Sequence, residues 1–235
     1  MQIMLIKCFL SFWDTQGKNL VNIKKPNGIE LNLGLEKYKQ DLNLSSQMNK
    51  NKFIVSCFGG GNINDDEILK SAKIFASSIA VLGATVISGG GSGIMEMVDT
   101  GASEVSLENS LGLMVKSIED IRKDQKLNHT QTYETLAIRM LTLLSYCDVA
   151  VFFPGGYGTF EEVFSLLVRI KVGMMKKIPI YFICSSFWTG LKNWLDEVVC
   201  KIGAIQKEDV EMIKIVDNID DVINEIKVSM GRMVA

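Results

Sequence analysis

Val149-Ala150-Val151-Phe152-Phe153-Pro154-Gly155-Gly156-Tyr157-Gly158-Thr159 is the stretch on which the reading of the fold turns. Its first five residues are uninterruptedly apolar, as suits a strand buried on both faces of a parallel sheet. The Pro-Gly-Gly-x-Gly that follows ends the run in a tight turn, and beyond it apolar residues recur at helical spacing. Five more short apolar runs share this habit, at 53–58, 85–88, 111–115, 178–184 and 212–216. Strands alternating with helices predict βαβ units: an α/β fold with a doubly wound parallel sheet covered on both faces. Right-handed crossovers place every strand's C-terminal end on one edge, where ligands of open α/β sheets bind.

Working outward, two more glycine turns follow strands. Phe58-Gly59-Gly60-Gly61 ends the first run, and Ser88-Gly89-Gly90-Gly91-Ser92-Gly93 ends the second; the turn at Gly155–Thr159 ends the fourth. Glycine lets a ligand approach the backbone, and the N–H groups and dipole of the next helix favour an anion. Three such turns on one edge predict phosphate binding. Other glycine motifs fit poorly. Residues 89–93 are not GxGxxG, and Ser88 stands where a dinucleotide fold wants an acid. The single Gly-Lys pair, Gly17-Lys18, is followed by Asn19, so no P-loop is present.

Residues 1–51 read as an N-terminal extension ahead of a single domain at 52–235. Segment 14–51 is polar, rich in Asn, Lys and Gln, with a turn at Pro26-Asn27-Gly28 and one short helix at most. The opening, Met1 to Trp13, lacks a basic start and a small-residue cleavage site, so it reads as mature protein. No stretch approaches the roughly 18–20 apolar residues of a membrane span.

Hydrophobic residues make up 47% of the 235 residues, enough for a large core, and the formal net charge of −2 gives no basic excess for nucleic acid. Five scattered cysteines without a CxxC pair read as reduced core thiols, placing the protein in the cytoplasm. His129 is the only histidine, which argues against a zinc site and a histidine-activated nucleophile; it reads as a surface loop residue. Trp188, Trp194 and the methionines read as core.

Pro154-Gly155-Gly156-Tyr157-Gly158-Thr159-Phe160-Glu161-Glu162 matches PGGxGTxxE, the signature of the LONELY GUY family of cytokinin riboside 5′-monophosphate phosphoribohydrolases, also labelled lysine decarboxylases. Residues 88–97 resemble that family's GGGxGIMEA loop. Arg139 stands 15 residues before Pro154, at the family's spacing for its arginine, and Phe187-Trp188 is similar as well. The resemblance spans about residues 52–216. One departure is Met140, where the family usually has lysine after the arginine.

The resemblance implies a Rossmann-like fold and a homodimer or higher homo-oligomer, an assembly also suggested by the broad apolar face of 136–147. It implies a nucleotide substrate and hydrolysis to base and ribose 5-phosphate; no metal is expected from the single histidine, and no cofactor, since no local pattern marks a Schiff-base lysine for the decarboxylase label. It implies Arg139 and Glu162 as catalytic residues. Ser88, Gly89, Gly90, Gly91, Ser92, Gly93, Glu96, Gly155, Gly156, Tyr157, Gly158 and Thr159 are the candidate nucleotide-binding residues. A carboxylate beside C1′ offsets charge on the ribosyl group and activates water.

Plainer readings stand beside these. Thr159-Phe160-Glu161-Glu162 also fits a capping box. Arg139 interrupts an apolar helical stripe and fits a snorkelling arginine. Glu96, in a first turn, fits a residue that complements the helix dipole. A non-catalytic nucleotide or molybdenum-cofactor carrier, whose fold and glycine loops resemble this family's, is the alternative function. A third is an interaction protein that recruits its partner through residues 1–51.

Overall fold

The computed structural model describes residues 35–46, 52–116 and 130–234. His129, the opening Met1–Trp13 and the Pro26-Asn27-Gly28 turn lie outside them. A helix, α1 (Leu35–Ser46), precedes the sheet region. Then come β1 (Ile54–Phe58), α2 (Asp66–Val81), β2 (Thr85–Ser88), α3 (Ile94–Val105), β3 (Ser110–Val115), β4 (Thr130–Tyr133) and α4 (Leu136–Ser145). The chain continues through β5 (Val149–Phe152), α5 (Tyr157–Lys171), β6 (Ile180–Ile183), α6 (Ser185–Trp194), a π-helical segment (Leu195–Cys200), α7 (Lys207–Glu211), β7 (Ile213–Val216) and α8 (Ile219–Val234).

The strands form one sheet in the order β4-β3-β2-β1-β5-β6-β7, and every neighbouring pair is parallel. This is a doubly wound α/β fold. The chain winds from β1 out to β4, then returns to the other side of β1 to place β5. All residues of β1, β2, β5 and β6 are buried; β5 and β6 are apolar throughout, as burial on both faces favours, while Ser56 in β1 and Ser88 in β2 are buried with their hydroxyls hydrogen-bonded to Leu143 O and Asp99 Oδ1.

One correction concerns the strand count. Six strands were expected and seven are present among the described residues, so the Gly155–Thr159 turn follows the fifth of them. The missed strand, β4, reads Thr-Gln-Thr-Tyr and lies at the sheet edge, where only Tyr133 is buried. An edge strand need not be apolar on both faces, so it lacks the signal carried by the central ones.

Two apolar layers sandwich the sheet. On one face, Leu143, Val163, Leu166 and Trp188 pack against Phe58 and Phe152, whose rings stack at 4.6 Å across the β1–β5 pair. On the other, Phe75, Ile79, Val98 and Val222 cover Val55, Val86 and Val151. Trp188 is fully buried among Phe160, Phe182 and Phe187, whereas Trp194, expected in the core, is 51% exposed. The helix before the sheet, α1, belongs to the same compact unit and packs against α4.

Among the described residues Cys57, Cys147, Cys184 and Cys200 are free thiols, and no three His, Cys, Asp or Glu side chains group as metal ligands. No described helix is long and apolar enough to cross a membrane.

Candidate functional site

The strand order reverses between β1 and β5, and the crevice beyond their C-terminal ends is the expected ligand position. All three glycine turns gather there. Gly60 N–H donates to Pro154 O at 2.9 Å, and Ile94 N–H donates to Gly60 O at 3.1 Å. Ser92 Oγ donates to Gly61 O at 3.0 Å. The first turn thus ties the second to the third. Gly93 sits at φ +64°, and a Cβ there would meet Gly60 O at 2.6 Å, so only glycine fits.

The third turn leads into α5 with Gly156 as N-cap and no side-chain cap. The first N–H groups of a helix lack intrahelical partners, so α5 presents donors at this edge. Gly156 and Gly158 have open space around them, and Tyr157 is 96% exposed. The second turn is more closed: Met95, half-buried, lies against the Cα positions of Gly89 and Gly91. Glu96 is half-buried in the first turn of α3.

Beneath these turns lies the Arg139–Glu162 pair. Arg139, on α4, is buried at 8% exposure. Its Nε donates to Leu113 O at 2.8 Å and its Nη1 donates to Glu162 Oε1 at 3.1 Å. Its Nη2 crosses Gly89, where a Cβ would overlap it. The side chain is therefore turned into the protein and does not snorkel. Burial lowers the guanidinium from its usual value, while Glu162 and then Asp99 oppose that shift. Burial pushes the Glu162 carboxyl up to about 7, with Arg139 pulling it back down and Glu161 adding a small upward push.

The capping-box reading does not hold. Helix α5 begins at Tyr157, so Thr159 is already inside it; Thr159 is buried, and its Oγ1 lies close to Gly155. Glu162 is sixth in the helix and reaches Arg139 rather than a free N–H.

Sequence reading missed Asp99, which is 2% exposed on α3. Its Oδ1 accepts from Ser88 Oγ at 2.6 Å, and Ser88 Oγ accepts from Gly90 N–H at 2.9 Å, so an α3 carboxylate shapes the second turn. An acid on the face shared by Ile94, Val98 and Ala102 was the available signal.

Gly89→Ala tests the crossing of Arg139 over the second turn. Its methyl group must displace Nη2, so the variant is expected to lose about 1–3 kcal/mol of stability in denaturant melts. Gly158→Ala, with open space around its Cα, is expected to lose none. Equal melts for Gly89→Ala and wild type would contradict the packing described.

A family model described as "Possible lysine decarboxylase" matches residues 95–226, more than half of the chain, including Arg139 and Glu162. A cytokinin riboside 5′-monophosphate phosphoribohydrolase from Mycobacterium marinum is 24% identical over 156 residues, covering 66% of this chain and 83% of that protein. Among solved structures, a molybdenum cofactor binding protein from Rippkaea orientalis superposes with a TM-score of 0.58 at 19% identity, covering 76% of this chain and 98% of the other. A Moco carrier protein from Chlamydomonas reinhardtii gives 0.54 at 19%, covering 77% and 99%. At these identities the structural likeness speaks to the fold.

Proposed function

The chain belongs to the family described as possible lysine decarboxylase, and from that membership we propose that it hydrolyses the N-glycosidic bond of a nucleoside 5′-monophosphate. The substrate is AMP or a cytokinin riboside monophosphate, and the products are free base and ribose 5-phosphate. The observation that carries this reading is a largely enclosed carboxylate, its side chain 13% exposed, raised to about 7 and held by a buried arginine, below a glycine-lined helix N-terminus.

The phosphate docks on the N–H groups at the start of α5, bordered by Ser88–Gly93, Glu96 and Gly155–Thr159. That remote grip orients C1′ toward Glu162. As the C1′–N bond breaks, its electron pair leaves with the base and positive charge grows on the ribosyl group. Water adds its oxygen to C1′, and Glu162 takes one water proton. The base nitrogen takes a proton from solvent and Glu162 returns its own to solvent, so the sum is one water consumed. A carboxylate that burial raises toward neutrality is a stronger base than an exposed one, which suits proton abstraction from water. Arg139 offsets part of the cost of that buried charge and fixes the carboxylate's direction.

A decarboxylase of the pyridoxal type needs a lysine for its Schiff base. Among the described residues no lysine is buried, so these residues do not fit that chemistry. A carrier is the competing reading, and it predicts nucleotide binding without base release.

The proposal is tested by comparing AMP with adenosine. AMP is expected to be cleaved at least ~100-fold faster in kcat/KM, because phosphate binding supplies the positioning. Equal rates would contradict the site.

The same reading includes a homodimer or higher homo-oligomer. Tyr157, Phe164 and Val168 along α5, with Val172 at its C-cap, are exposed, a stripe suited to a two-fold contact. Light scattering at micromolar concentration is expected to give at least twice 26.1 kDa, and a monomer would contradict it.

A further inference from the structure

Helix α1 stands outside the sheet, yet its Asp41 is 1% exposed. Burying a carboxylate is unfavourable unless its oxygens are hydrogen-bonded. Asp41 Oδ1 accepts from Glu134 N–H at 3.0 Å, and Oδ2 accepts from Thr135 N–H at 2.9 Å and Thr135 Oγ1 at 2.8 Å. All three donors belong to the two residues that launch α4. Thr135 is the N-cap of that helix, and its Oγ1 accepts from Ile138 N–H at 3.3 Å. Its carbonyl accepts from Arg139 N–H at 3.2 Å.

We propose that Asp41 is a positioning residue for Arg139, acting through Thr135 to fix the first turn of α4. This rests on the phosphoribohydrolase reading for its effect on turnover. The carboxylate satisfies donors at the α4 N-terminus, and its charge complements the helix dipole there. Two further contacts hold the same pair of helices: Ser45 Oγ and Thr142 Oγ1 lie 2.6 Å apart, and Tyr146 Oη donates to Ser45 O at 2.7 Å. Helix α1 is thus strapped along α4 from Thr135 to Tyr146. Arg139 lies one turn past the Asp41 clamp, and its guanidinium must reach Leu113 O and Glu162 at once. A start of α4 that shifts by a fraction of an ångström loosens both reaches. Misplacement by about 1 Å is worth as much as ~100-fold in rate.

The test uses the full chain with Asp41→Ala and Asp41→Asn. Asn keeps one acceptor but turns an amide donor toward donors, so it serves as the milder variant where Ala fails to fold. Three quantities are read: kcat and KM for base release from AMP, the pH profile of kcat, and amide exchange at residues 138–140. Asp41→Ala is expected to lower kcat ~10- to 100-fold with KM changed less than ~3-fold, and Asp41→Asn to fall between it and wild type. The limb of the pH profile set by Glu162 is expected to move upward, because a displaced Arg139 no longer opposes the effect of burial. Exchange at Ile138 and Arg139 is expected to quicken at least ~10-fold. A purely structural role would lower melting temperature and leave the profile of the folded enzyme in place. Folded variants with wild-type kcat, pH limb and exchange overturn the proposal. Where wild type itself releases no base, the proposed function fails. The clamp is then decided by exchange alone: quickened amides at 138–140 uphold it, and unchanged amides overturn it.

Discussion

Glu162→Gln is expected to lower base release from AMP at least ~100-fold while nucleotide binding survives. Gln keeps the size of the side chain and an oxygen for Arg139 Nη1, but it cannot accept the water proton or offset ribosyl charge. Phosphate binding persists because the donors at the start of α5 are backbone groups. The wild-type rate is expected to climb with pH through a limb near 7, the value to which burial pushes Glu162, and the variant is expected to lose that limb. Stability carries its own signature. Because the folded carboxyl is raised from 4.5 to about 7, the folded chain binds more protons than the unfolded chain in that window. Wild type therefore loses stability relative to the variant as pH rises from 4.5 through 7, on the order of 3 kcal/mol. Glu161→Gln, at an exposed neighbour, is the control and is expected to retain most activity. A Glu162 variant with near-normal release would remove the catalytic assignment and favour a carrier.

Arg139→Lys is expected to be as damaging, with turnover down at least ~100-fold and a lower melting temperature. The guanidinium serves Leu113 O, Glu162 and the surface of Gly89 from three nitrogens in one plane, and a single ammonium reaches one of them. Loss of the Nε bond leaves a buried carbonyl with one partner fewer, at a cost of about 1–3 kcal/mol. Arg139→Met separates charge from shape. With no cation opposing burial, Glu162 stays protonated to higher pH, so the limb moves above its wild-type position and part of the lost turnover returns in alkaline buffer. Recovery would assign Arg139 to keeping Glu162 ionised. A variant with the wild-type limb would contradict that role.

Most of the sheet was legible because its central strands are buried on both faces and therefore dominated by apolar residues, without interruption in Val149–Phe152 and with a single serine in Ile54–Phe58. The edge strand Thr130–Tyr133 was not, since half-exposed strands permit Thr and Gln. The glycine turns announced the site's edge because close backbone approach excludes side chains. What lay between them did not follow from spacing. Thr159-x-x-Glu162 is a sound capping box on paper, and only the start of α5 at Tyr157 turns Glu162 toward Arg139. Asp41 under α4 is a tertiary contact, made by a residue whose local sequence gives no hint of a partner. Trp194 shows the limit of reasoning from residue type: it falls on the outer face of α6 and stays half-exposed.

The most direct test of the account is incubation of the purified chain with a panel of nucleoside 5′-monophosphates, including AMP and cytokinin riboside monophosphates, followed by chromatography. The account predicts free base and ribose 5-phosphate in equal amounts from at least one of them, in a reaction abolished by Glu162→Gln. Tight binding of nucleotide with no base released from any member of the panel would contradict it.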